Sequence, residues 1–97
     1  MKVVFTRRTE RRLQQIRRHI AADDPAAAGR VIERIVASAE MPATRPRLGW
    51  PWQGGPTRAP RVPGLPYRLH YRIDAAAERI EVVTVAHLRQ LPPRIGG

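Results

Sequence analysis

Apolar side chains recur along the chain with two different periods, and the change of period divides it. Lys2 to Phe5 (KVVF) sets branched and aromatic residues in a row, which predicts a short strand. From Thr9 an apolar stripe continues through Leu13, Ile16 and Ile20, at spacings of four, three and four residues that share one helical face. Thr6 is placed to cap this helix and Glu10 falls in its first turn. Arg7, Arg8, Arg11, Arg12, Arg17 and Arg18 take much of the remaining surface, usually a solvated one, and are kept as a second target-contact candidate. Asp24-Pro25 announces another helix, with Ala28, Val31, Ile32, Ile35, Val36 and Ala39 as its apolar face. The break between the two is short, so an antiparallel hairpin is expected, ended by Pro42.

Residues 42–57 (PATRPRLGWPWQGGPT) hold four prolines and three glycines and cannot make a regular helix or a central strand. Connections this long in small domains are often functional, or form a flap, here with Trp50 and Trp52 over the core. Beyond it the period becomes two. Arg58 to Val62 is interrupted by Pro60 and predicts an irregular edge strand, and Pro63-Gly64-Leu65-Pro66 is a turn. Tyr67 to Ile73 alternates, with Tyr67, Leu69, Tyr71 and Ile73 on one side and Arg68, His70 and Arg72 on the other. Arg79 to Ala86 is the strongest strand, with Ile80, Val82 and Thr84 facing one way and Glu81, Val83, Val85 and then His87 the other. The order β-α-α-β-β-β describes one α+β domain over residues 1–97, an antiparallel helical hairpin packed on a small, mostly antiparallel sheet. The tail beyond about Arg89 is expected to be mobile, and function is to be sought on the sheet face turned away from the helices.

Charge sharpens this picture. Eighteen basic against eight acidic side chains give a net charge of +10, and every cation but Lys2 is arginine. Such an excess predicts an anionic partner, either nucleic acid, a nucleoprotein or an acidic protein segment. The absence of cysteine excludes disulfide and thiolate chemistry. His19, His70 and His87 are too scattered for a metal signature, and no cofactor is expected. Without a signal-like core or a membrane-length apolar run, a cytoplasmic location is expected and no membrane partner.

Four pieces of the chain, in order, resemble the RelE/ParE toxin superfamily of bacterial type II toxin–antitoxin pairs. LQQIRRHIAADDPAAAGRVIERI is similar to the superfamily's I-x-x-Y-I-A-x-D-N-P-x-A-A stretch, and Pro46 to Gly49 to its P-x-x-G. RVPGLPYRLHYRID resembles G-x-P-Y-R-I-x-Y-R, and IEVVTVAHLRQLP resembles I-x-I-L-x-V-x-H-x-R-x-x-P. The resemblance implies a growth-arresting toxin of the kind found in plasmid-stabilisation modules. It also implies a cognate antitoxin from an adjacent gene, whose acidic segment wraps the toxin in a hetero-oligomer.

Two activities occur on this scaffold, and a fold alone does not choose between them. The Asp-Asp-Pro-Ala-Ala-Ala junction and the Pro-Gly-Leu-Pro-Tyr turn are closer to the ParE branch, whose members poison DNA gyrase and are not nucleases. The alternative is a RelE-like mRNA endonuclease acting on the ribosome. In that case the resemblance makes Arg61, Arg68 and His87 the catalytic residues, positioning the phosphate, stabilising its charge and moving the proton. Leu88 stands where the YoeB-like members have a tyrosine, and residues 42–60 hold no glutamate. Against that role, a histidine ending a strand is commonly a structural hydrogen-bonding residue. Arg58, Arg61, Arg68, His70, Arg72 and Arg89 are expected to meet antitoxin or target, and Tyr67 and Tyr71 to pack in the core. A non-toxic, basic nucleic-acid-binding module is the further alternative.

Overall fold

The computed structural model describes residues 1–90. Strand β1 (Lys2–Phe5) leads into helix α1 (Arg7–Ala21), followed by α2 (Pro25–Ala37), a short α3 (Glu40–Thr44), a single 3-10 turn (Trp52–Gly54), β2 (Tyr67–Asp74) and β3 (Arg79–His87). Both main helices begin as their sequences require. Thr6 Oγ1 accepts from the Thr9 amide, and the Asp24 side chain accepts from the Ala27 amide.

The sheet runs β1-β3-β2, with β1 parallel and β2 antiparallel to β3. Parallel neighbours need a long crossover, which the helical hairpin begins on one face of the sheet. Arg58 to Val62 continues the sheet beyond β2 through two isolated bridges, Arg58 to Tyr71 and Arg61 to Arg68. Pro60 has no amide to donate, but its carbonyl accepts from Leu69 N at 3.0 Å, so the β-α-α-β-β-β order holds with an irregular edge. The turn after it needs Gly64, whose φ is +74° and whose added Cβ would meet Arg34 Nη1 at 3.2 Å.

Ile16, Ile35, Val62, Leu69, Tyr71, Ile80, Val82 and Val85 form the core between hairpin and sheet, with Leu13, Ile20, Val31 and Ile32 packed at its border. Tyr67 and Tyr71 lie in this core, as the alternation predicts.

Three expectations are corrected. Pro42 does not end α2, which stops at Ala37; Pro42 lies inside α3, in a first turn whose amides need no intrahelical acceptor. Val36 is 39% exposed, outside the apolar face. The strict alternation of β3 also fails. His70 pairs with Thr84 but Tyr71 with Val82, so Val83 is an extra, bulged residue. Ile80, Val82 and Val85 therefore share the core face, and Thr84 turns to the far face beside His70. The expected mobility beyond Arg89 concerns residues 91–97 almost wholly and lies outside the described residues.

Because β1 is only four residues long, the second half of β3 has no strand beside it on that edge among the described residues. Side chains of α1 take its place. Thr6 and Thr9 hydroxyls donate to Val82 O, and Arg12 Nε donates to Val85 O at 3.0 Å. Thr9 thus extends the apolar stripe by position and satisfies a buried carbonyl by chemistry.

Candidate functional site

Alternation along β2 sends Arg68, His70 and Arg72 to the face away from the helices, opposite Ala86, Thr84 and Glu81 of β3. Arg61 lies across its bridge from Arg68, on the same side. The far face is therefore cationic, though each guanidinium is held differently. Arg68 Nη1 donates to Ala59 O at 2.9 Å while its guanidinium carbon stands 5.0 Å from the centroid of the Trp52 ring. Arg72 Nε pairs with Glu81 at 3.1 Å. Arg61 is exposed, its Nε donating to Leu65 O at 3.4 Å.

Trp52 reaches this face because the chain doubles back sharply. Trp52 N donates to Thr57 O at 2.6 Å, and Gln53 adopts a left-handed conformation at φ 49°. The indole lands edge-on to His70, ring centroids 5.3 Å apart. His70 is 0% exposed, and among the described residues neither of its nitrogens has a hydrogen-bond partner, nor has Trp52 Nε1. Burial, then the charges of Arg68 and Arg8, push the His70 pKa down from 6.5 to about 4. It is a neutral ring under an aromatic cover, so the expectation that it meets a partner at the surface is corrected. The flap also departs from expectation, since Trp52 covers the far face and Trp50 is 88% exposed, neither closing the helix-side core.

The remaining candidates separate. Register places His87 opposite Tyr67 on the core side, with ring centroids 5.3 Å apart, while its Nδ1 accepts from Arg89 N at 3.0 Å. It is not on the face with Arg61 and Arg68. Arg58 shares its side with Tyr71 and donates to the carbonyls of Arg47 and Gly49 at 3.2 and 2.8 Å, which fixes the loop. Tyr71 Oη donates to Pro46 O at 2.6 Å; burial raises its pKa, the Arg58 charge opposing. Arg89 is exposed at the end of the described chain.

Two of the concave regions among the described residues bear on the site. One, of about 630 Å³, lies beside the Pro60 edge and is lined by Met41, Leu48, Pro60 and Pro63, with Arg45 and Arg61 and one carboxylate, Glu40, among its charged residues. Met41 and Leu48 are 58% and 60% exposed, a large apolar surface for so charged a chain. The other, of about 480 Å³, lies between α1 and β3. Spacing in α1 could have pointed to it, since Arg8, Arg11, Arg12 and Gln15 share one helical arc. Trp52 as the cover of His70 had no local sequence signal. No helix among the described residues is long and apolar enough to cross a membrane.

Comparison with known proteins gives a consistent result. Residues 3–92 match the model of the family described as the ParE toxin of the type II toxin–antitoxin system, parDE. A protein of Sinorhizobium fredii that bears a toxin name, Y4kP, is 35% identical over 94 residues, which cover 97% of this chain and 95% of that protein. The fold superposes on a structure of the chromosomal ParDE toxin–antitoxin system of P. aeruginosa with a TM-score of 0.78 at 18% identity, covering 92% of this chain and 97% of the other. Similarity extends to the toxin–antitoxin complex RelBE2 of Mycobacterium tuberculosis, with a TM-score of 0.59 at 27% identity and coverage of 89% and 88%.

Proposed function

The chain belongs to the ParE toxin family of type II toxin–antitoxin systems, and from that premise we propose that it arrests growth by poisoning DNA gyrase rather than by cutting mRNA. One observation carries the choice of target. Cleavage of a ribose–phosphate bond needs an accessible acid or base beside the group that stabilises phosphate charge. On the face that carries Arg61 and Arg68 the one histidine is fully covered, and His87 stands on the opposite face. The carboxylate on that face, Glu81, is engaged by Arg72, and a cationic surface whose histidine is covered and whose carboxylate is paired suits binding better than catalysis. The ParDE superposition supports the same branch.

A cognate antitoxin would hold the toxin inactive. Its recognition asks for apolar side chains to fill the groove of Met41, Leu48, Pro60 and Pro63, and for carboxylates to meet Arg45 and Arg61. An acidic segment that orders on binding meets both needs. Family membership displaces the reading of a non-toxic nucleic-acid-binding module.

Toxin freed of antitoxin is to be tested on gyrase with supercoiled DNA and, from the same preparation, on translating ribosomes. Accumulation of gyrase–DNA cleavage complexes with intact mRNA is expected, and His87→Gln should leave growth arrest in place. Ribosome-dependent mRNA cutting, lost on the order of a hundredfold in Arg68→Ala, would replace this reading with the nuclease one.

A further inference from the structure

Trp50 is the most exposed large apolar side chain among the described residues. An indole left in water forgoes about 150–250 Å² of burial. On a loose loop tip such exposure would carry no meaning, but the backbone around Trp50 is fastened on both sides. Before it, the Tyr71 hydroxyl donates to Pro46 O at 2.6 Å, and Arg58 Nη1 donates to Arg47 O and Gly49 O at 3.2 and 2.8 Å. After it, Pro51 bridges to Arg58 and Trp52 N donates to Thr57 O at 2.6 Å. A core phenol and a half-buried guanidinium thus hold the carbonyls next to the indole. The ring is displayed on a fixed support, so the entropy of positioning it is lost in folding and not in binding.

The surroundings have the composition of an interface centre. From Met41 to Ile73 the chain carries six arginines and no aspartate, glutamate or lysine. Enrichment in Trp, Met and Arg with depletion of Lys, Asp and Glu separates the middle of a protein–protein contact from ordinary surface. Leu48, two residues from Trp50, and Met41 are also more than half exposed. Apolar anchors amid cations fit an apolar pocket edged with carboxylates. Three other occupants fit less well. Single-stranded nucleic acid stacks its bases on successive rings, but the neighbouring indole, Trp52, is turned onto His70. A second copy of the chain would set a net charge of +10 against +10. An antitoxin segment that orders only on binding can fill a groove, but it has no preformed pocket to receive a rigid, exposed ring.

We infer that Trp50 is the anchor by which the toxin grips its target protein, the indole entering an apolar pocket rimmed by carboxylates on a folded partner. Arg47, exposed three residues earlier, is placed to meet that rim. The inference rests on the proposed function for naming the partner as gyrase. Leu48 lines the groove proposed for the antitoxin and Trp50 does not. An antitoxin seated in that groove therefore crowds the anchor without using it, which gives neutralisation a steric route.

The test compares the full-length parent with Trp50→Ala and Trp50→Phe. Because the ring is exposed, melting temperatures should agree within about 4 °C. Affinity for immobilised gyrase holoenzyme should fall about thirtyfold or more in Trp50→Ala, as for removal of an interface hot spot, and less in Trp50→Phe, which keeps an aromatic ring. Growth arrest on expression should be lost with it in Trp50→Ala, while co-purification with the product of the adjacent gene persists. Growth arrest reads the anchor whatever the target is. A parent that arrests growth without binding gyrase removes the gyrase reading, and loss of that arrest in Trp50→Ala still supports the anchor. Unchanged arrest in Trp50→Ala overturns the inference. So does a large fall in melting temperature, which would make the ring structural, or loss of the adjacent gene's product, which would give it to the antitoxin. A parent dimer that becomes monomeric in the variant would assign the ring to a second copy and overturn it equally. A greater loss of affinity for single-stranded DNA or RNA than for gyrase would do the same in favour of nucleic acid.

Discussion

The two faces of the β2–β3 sheet are made by the same strands and obey opposite rules. Toward the helices, Leu69, Tyr71, Ile80, Val82 and Val85 are nearly or wholly buried among apolar neighbours, and the Tyr71 hydroxyl is satisfied by Pro46 O. On the other face, an imidazole with neither nitrogen paired is buried beneath an indole whose own N–H is unpaired, beside a guanidinium. Burying polar atoms without partners is unfavourable by about 1–3 kcal/mol each. The first face holds the fold together. The second keeps charge and polarity at a cost to stability, which is what a binding surface requires.

The sharpest way to break this contrast is to exchange the predicted roles of the faces. Ile80 is 0% exposed in the core. Ile80→Ala should destabilise the protein by about 3–4 kcal/mol, measured by chemical denaturation, because the cavity cannot collapse between sheet and hairpin. A loss under about 1 kcal/mol would mean that the core is not where stability resides.

The far face should instead reveal itself through pH. Folded His70 takes up its proton near pH 4 and unfolded His70 near 6.5, so between those values unfolding binds a proton. The stability that comes from keeping the ring neutral is whole above pH 6.5. It declines as pH falls through the window and levels off below about 4, a change of up to about 3 kcal/mol. His70→Leu should flatten this profile and leave neutral-pH stability equal or higher, since it removes two unpaired nitrogens. An unchanged slope in the variant would assign the acid sensitivity elsewhere.

Two indoles two residues apart provide the finest comparison. Trp52→Ala should cost about 1 kcal/mol, the loss of ring and cation contacts being partly offset by hydration of His70. Its imidazole pKa, followed by NMR, should rise toward the ordinary value. Trp50, 88% exposed, should leave stability within about 0.5 kcal/mol when replaced by alanine. Equal effects at the two positions would dissolve the distinction between cover and surface.

Legibility in the sequence followed the same division. Helices and strands were readable because periodicity reports burial on one side, and Thr6 and Asp24 announce caps by local chemistry alone. The bulge at Val83 is hidden, because a VVTV run, three valines and one β-branched threonine, supports either register and only pairing with His70 and Tyr71 chooses. The site was legible as charge and not as geometry. Alternation placed Arg68, His70 and Arg72 together, but the burial of His70 depends on a turn at Gln53 that carries Trp52 across the sheet, a contact between distant residues that no local pattern encodes. Strict alternation along β3 places His87 on the face of Arg68, and the bulge moves the histidine to the core side.

The side chains of α1 along β3 have a consequence for the life of the free protein. A half-naked strand border invites a second chain to add itself and start a fibre. Arg12, gripping Val85 O, occupies that border with a positive group that repels an identical molecule. The free chain is thereby guarded against pairing with an identical strand border.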